Sequence, residues 1–138
     1  IKKWEVFLKE EAAAAKVEAR RPTTILTKVC HEQGLNDANC PKILYAMAQQ
    51  ESYFGKVMSG DGGKSHGYFH IMFYHNVPTS CSEDLACNAR WTLKRMIAKG
   101  FETNRDNAIR LHNGSLTNPL TLTYLKLVKQ KMSLWPNE

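Results

Sequence analysis

Apolar residues recur at a helical period of about 3.6 residues through most of this chain. Residues 3–19 put Trp4, Phe7, Leu8, Ala12 and Ala15 on one stripe, with alanine-rich filling, and predict a first helix. Pro22 and Thr23 mark a boundary and open a second helix, which carries Ile25, Leu26 and Val29 and stops near Gly34. Pro41 suits the first turn of a third helix running to about Phe54. Further on, Leu85, Ala89, Leu93, Met96 and Ile97 share one helical face, closed by Gly100. Residues 105–112 read as a short helix ended by Asn113-Gly114. A last helix is expected after Asn118-Pro119, with Leu120, Tyr124, Leu127 and Val128 turned inward. The pattern predicts a mostly α fold.

The period breaks between these helices. The segment GKVMSGDGGKSHG, residues 55–67, holds five of the eight glycines, too many for a regular element, and reads as a loop or short β-hairpin. Any sheet is expected to be short and confined to residues 55–75. The chain has 138 residues, enough for one hydrophobic core and hardly for two. We therefore read residues 1–138 as a single domain with its core in 23–138. The stretch EEAAAAK resembles a helical spacer, so residues 1–20 form either an accessory N-terminal helix or a packed terminal one.

Composition narrows the class. Hydrophobic residues make up 43% and charged residues 23%, as in an ordinary globular protein. No apolar run approaches the roughly 18 residues of a spanning helix, so stable membrane insertion is not expected. The net charge of +6 and pI near 9.2 favour a polyanionic partner. Lys and Arg are scattered and no nucleic-acid-binding signature occurs, which points away from nucleic acid and toward a carboxylate-rich cell wall. Simple solubility charge accounts for the same number. The four cysteines form two close pairs, Cys30/Cys40 and Cys81/Cys87, and of the three connectivities we favour the two local ones. That implies an oxidising compartment, periplasmic or extracellular; reduced core cysteines are the alternative.

One acid stands out. In KILYAMAQQESYFG the apolar positions are Ile43, Leu44, Met47 and Phe54, and Glu51 lies four residues after Met47. Helical spacing puts this carboxyl on the core-facing side, near the helix C-terminus. Burial and the negative helix end both disfavour its anion, so its pKa is expected to rise. A carboxyl held protonated near neutral pH is what a general acid for glycosidic cleavage needs. A Glu paired with a nearby Lys or Arg at an amphipathic helix end is the plainer explanation.

The surrounding residues add a resemblance. Glu51-Ser52, a glycine-rich loop, Gly67-Tyr68-Phe69-His70-Ile71, Leu111-His112-Asn113-Gly114-Ser115 and Tyr124 in TYLKLVK follow in order over residues 40–131. Together they resemble the lysozyme-like superfamily of soluble lytic transglycosylases and goose-type lysozymes. The resemblance implies a lysozyme-like helical domain, with the cleft between the Glu51 helix end and segment 61–70. It implies that Ser52 orients Glu51, that Tyr68, His70 and His112 line the substrate cleft, that Asn113 holds the sugar N-acetyl group or the acid, and that Tyr124 supports the reacting centre. Two residues depart from the family pattern: His70 stands where glutamine is usual and His112 where tyrosine is usual. Both still hydrogen-bond a sugar, and charge on them near pH 6–7 would make binding pH-sensitive. Satisfied structural histidines are the alternative, as is Ser52 acting as a backbone partner at the helix end.

The implied reaction cuts the β-1,4 bond between N-acetylmuramic acid and N-acetylglucosamine in peptidoglycan glycan strands, by a monomer that needs no metal or cofactor. With Glu51 alone the route is that of a lytic transglycosylase, forming a 1,6-anhydro product. With Asp61 as a second carboxylate positioning water it is that of a muramidase, although Asp in a Gly-rich turn is common for backbone reasons. Three other readings compete. His66, His70 and His75 crowd near Cys81 in the manner of zinc ligands, but the glycines argue against the helix that i,i+4 ligands require. Trp4, Phe7 and Leu8 beside Lys2, Lys3 and Lys9 suit an anionic membrane surface, diluted by Glu5, Glu10, Glu11 and Glu18. The third is a lysozyme-like wall-binding module that has lost turnover.

Overall fold

The helices expected from the 3.6-residue pattern all form in the structure, a computed structural model that describes residues 2–136. The side chains of Lys2, Glu18 and Ala19 lie outside the described set, and with them part of the charge pattern read on the first helix. The described residues form seven α-helices in the order α1 (Lys2–Arg20), α2 (Pro22–Glu32), α3 (Asn39–Ser52), α4 (Thr79–Ser82), α5 (Leu85–Ala98), α6 (Arg105–Asn113) and α7 (Leu120–Lys131). Between α3 and α4 lie three strands of two residues each, β1 (Ser59–Gly60), β2 (Ser65–His66) and β3 (Ile71–Met72). They pair antiparallel in the order β1-β2-β3, with Ser59 opposite His66 and His66 opposite Ile71. The protein is mostly helical with one small sheet, and that sheet falls inside residues 55–75.

Local chemistry sets the boundaries. Pro22 opens α2 at a position where its missing N–H costs nothing. The Asp37 carboxylate accepts the Cys40 amide at 3.1 Å at the start of α3, two residues before the expected Pro41. At its other end α3 runs into Tyr53 and Phe54, both left-handed, and Phe54 N–H closes back on the Ala48 carbonyl at 3.1 Å. Asp84 caps α5 through the Cys87 amide and Asn104 caps α6 through the Asn107 amide.

The core gathers around α3, which packs against α2 on one side and α7 on the other, while α5 and α6 close the bundle. Leu26, Val29, Leu44, Met47, Leu93, Met96, Phe101, Ile109 and Val128 are all but fully buried. Each such side chain contributes on the order of 1.5–3 kcal/mol of transfer free energy. Disulfides Cys30–Cys40 and Cys81–Cys87 tie α2 to α3 and α4 to α5, the two local pairings expected.

Two expectations change. Leu120 is not inward but 68% exposed. The buried stripe of α7 is Thr121, Tyr124, Leu125 and Val128, with Leu127 only half-buried. Thr121 displaces Leu120 because its hydroxyl ties the helix start to the Ser115 and Asn118 carbonyls and accepts from Arg110. The apolar stripe of α1 does not enter the core: Trp4, Phe7 and Leu8 are exposed, and the helix meets the rest of the fold at α2. No described helix is long and apolar enough to cross a membrane.

Candidate active site

Glu51 occupies the last turn of α3 with 15% of its side chain exposed. Burial is the largest influence on its carboxyl and disfavours the anion, an interaction with the Tyr124 hydroxyl works the other way, and the negative charge of Asp61 raises the pKa again. The result is a pKa raised from 4.5 to about 7, so the group is largely protonated in mildly acidic solution. Burial and the neighbouring Glu51 keep Tyr124 a neutral phenol, its pKa well above the usual value. The Tyr124 hydroxyl meets no partner in full hydrogen-bond geometry. Its contact with Glu51 is therefore loose.

Two imidazoles flank the carboxyl. His70 Nδ1 lies 3.7 Å from Glu51 Oε2, and His112 Nε2 lies 3.9 Å from Oε1. His70 Nε2 donates to the Val57 carbonyl at 2.7 Å, and His112 Nε2 donates to the Phe69 carbonyl at 3.0 Å. A carbonyl only accepts, so both rings carry hydrogen on Nε2. In this tautomer His70 turns Nδ1, the nitrogen without a hydrogen, toward Glu51, which complements a protonated carboxyl. His112 is sealed in, with 4% of its side chain exposed. Burial pushes its pKa down to about 4, against the opposing effect of the Phe69 carbonyl. The expectation that His112 charges near pH 6–7 is therefore corrected: the ring stays neutral there, and its Nε2 is engaged by backbone.

The loop beneath these groups is held by a few atoms. Ser52 is fully buried. Its hydroxyl donates to the Ala48 and Tyr68 carbonyls at 3.1 and 2.8 Å and accepts the Gly55 amide at 2.8 Å. Ser52 thus knots the helix end to the cleft segment and acts as a backbone partner. Phe69 is clamped from both sides, its amide donating to Asn88 Oδ1 at 3.1 Å and its carbonyl accepting from His112. Gly67 has φ +97, and a Cβ there would run into the Ser82 carbonyl. A Cβ on Gly60 would come within 2.7 Å of His70 Nδ1, so a bare backbone lets the imidazole lie against β1. Tyr68 is half-buried, its ring set edge-on against Phe54 at 5.7 Å.

The remaining expected site residues fall nearby. Asp61 is exposed and left-handed (φ 52), and its carboxylate accepts the Ser65 hydroxyl at 2.9 Å. Asn113 ends α6, exposed, on the wall of a cavity of about 280 Å³ that also borders His70 and His112. Glu51, Asp61, His70, His112 and Tyr124 are brought together. Ser52 belongs to the frame below them.

The crowded histidines do not gather with Cys81. Cys81 is in a disulfide, His66 pairs with Glu83 at 3.0 Å, and His75 packs on Trp91. Among the described residues no three His, Cys, Asp or Glu side chains gather as a metal site. Sequence reasoning missed Asn88, whose only signal is a polar residue on the inward face of α5, between Leu85 and Ala89. It also missed Arg95 and Lys99 on the cavity wall. No protein-family model, no curated protein and no solved structure matches this chain.

Proposed function

We propose that this protein cleaves the glycan strands of peptidoglycan at the bond between N-acetylmuramic acid and N-acetylglucosamine, as a lytic transglycosylase with Glu51 as its acid and base. The observation that carries this reading is a single, nearly buried carboxyl at a helix end, protonated up to about pH 7, between two imidazoles and a tyrosine. The two disulfides fit a wall-facing, oxidising compartment, periplasmic or extracellular.

The chemistry follows from the proton on Glu51. The carboxyl gives it to the glycosidic oxygen, the bond to the muramic acid anomeric carbon breaks, and the departing sugar leaves with a hydroxyl. The neighbouring N-acetyl group stabilises the oxocarbenium-like centre. Glu51, now an anion, takes the proton of the C6 hydroxyl as that oxygen closes a 1,6-anhydro ring. The carboxyl ends protonated as it began, and no water is consumed. The neutral Tyr124 hydroxyl is placed to steady the carboxylate in the middle of the cycle.

A muramidase route is the second reading, and one observation favours it: Asp61 is the acid whose charge registers at Glu51. Its exposure and its bond to Ser65 leave a backbone role equally served. Mass spectrometry of products from purified peptidoglycan separates the routes. Anhydromuramic ends are expected; ends heavier by one water would assign Asp61 the second carboxylate role.

A further inference from the structure

The cavity beside the two imidazoles has an unusual lining. Its walls include Arg95 from α5 and Lys99 just past the end of that helix, together with His70, His75 and His112, and they include no Asp or Glu. Three other arginines are occupied: Arg90 pairs with Glu32, Arg105 with Asp37, and Arg110 bonds Thr121 and the Leu116 carbonyl. Arg95 and Lys99 enter no ion pair among the described residues. Arg95 is half-buried, with its guanidinium 5.9 Å from the Trp91 ring centroid, so it is supported from one side without being neutralised. Burial is the larger cause that lowers the pKa of both His75 and His112, and the positive charge of Arg95 lowers both further.

A concave site with two unpaired cations and no acid is complementary to an anion, and a guanidinium fork suits a carboxylate in particular. The cavity shares His70 and His112 with the Glu51 site, so a polymer laid across Glu51 extends its neighbouring unit into it. Along a wall glycan strand the anionic groups are carboxylates: the lactyl group of muramic acid where it is free, and the stem peptide where it is attached. Chitin-like strands carry neither.

We propose that the Arg95–Lys99 cavity is a carboxylate subsite that reads the acidic substituent of the wall polymer next to the scissile bond. This rests on the proposed cleavage of peptidoglycan at Glu51 and adds to it the feature that selects an anionic strand over a neutral one. His75 and Asn113 supply neutral hydrogen-bonding groups around the cations.

The test has two arms. In the first, Arg95 Nε–H resonances of the wild-type protein are followed while muramoyl dipeptide, and separately N-acetylglucosamine trimer, is added. A saturable shift with the carboxylate-bearing ligand alone supports the subsite; no shift, or equal shifts with both, overturns it. This arm does not depend on cleavage, so it judges the subsite even if the protein proves unable to cut the wall. In the second arm, KM is measured on intact strands, on strands stripped of stem peptides, and on strands whose carboxylates have been converted to amides. Amidation is expected to raise KM roughly tenfold, as for loss of a charge-assisted hydrogen bond. The double variant Arg95→Gln/Lys99→Gln, with folding checked by thermal melting, should show the raised KM on every substrate. Stripped strands that keep the low KM assign the lactyl carboxylate; stripped strands with the raised KM assign the stem peptide. A folded double variant that still discriminates as wild type does overturns the proposal.

Discussion

His70 Nδ1 faces the Glu51 carboxyl at 3.7 Å while the opposite nitrogen of the same ring is fixed to the Val57 carbonyl at 2.7 Å. The backbone therefore chooses the tautomer, and the tautomer decides what Glu51 meets: a lone pair that welcomes a proton on the acid. Nitrogen-detected NMR under mildly alkaline conditions should report hydrogen on Nε2 for both His70 and His112. Hydrogen on Nδ1 of His70 would mean that the ring competes with Glu51 for the donor role.

Activity should fall as pH rises through about 7, because the anionic form of Glu51 cannot protonate the leaving oxygen. His112 contributes no ionisation to the neutral range, since its pKa lies near 4. The pH profile of kcat/KM on soluble glycan strands is the measurement. A limb falling near 4.5 instead would show an unperturbed carboxyl at position 51.

Stability carries the same signature with a definite sign. The folded pKa of Glu51 is above its ordinary value, so its favourable contribution is complete below about 4.5 and disappears as pH rises through about 7. His112 acts oppositely, losing stability as pH falls from 6.5 through about 4, but it is common to wild type and variant and cancels in their difference. Glu51→Gln should therefore gain about 3 kcal/mol relative to wild type on going from about pH 4 to about pH 9. Urea melts at the two pH values check this, and a pH-independent difference would contradict it.

Much of this was legible in the chain. The inward stripe Leu44, Met47, Glu51 exposes the odd acid, and the crowded glycines announce the loop under it. What was not legible is carried by contacts between distant residues. His112 bonds a carbonyl 43 residues away, and Asn88 bonds an amide 19 residues away. No local period encodes such pairs, so His112 reads as a sugar contact and Asn88 passes unmarked. Leu120 misled for the opposite reason: its hydrophobicity fits the stripe, but the hydroxyl of Thr121 fixes the helix start one residue round.

Gly67 should tolerate no side chain. Its φ of +97 is strained for any L residue, and the Ser82 carbonyl occupies the space of a Cβ. Gly67→Ala is expected to cost about 2 kcal/mol or more and to loosen Phe69 and His70. A wild-type denaturation midpoint for this variant would show that the loop is softer than its packing implies.

The Cys81–Cys87 bridge steadies the corner that presents the Ser82 carbonyl to the Tyr68 amide at 3.1 Å. Cys81→Ser/Cys87→Ser closes no loop in the unfolded chain and should lose about 2 kcal/mol of stability. Because the corner touches the cleft segment, wall-lytic activity should fall with it at temperatures where the fold persists. Unchanged stability would mean that the bridge is silent.

The central claim is that Glu51 supplies the proton, and Glu51→Gln tests it most directly. The amide keeps the shape and the hydrogen-bonding reach but has no transferable proton. Wall-lytic activity of this variant on purified peptidoglycan, with circular dichroism confirming the helical fold, should fall by a factor on the order of 10² or more. Asp61→Asn should lose far less on the transglycosylase route. A folded Glu51→Gln protein that releases wall fragments at the wild-type rate would contradict the account.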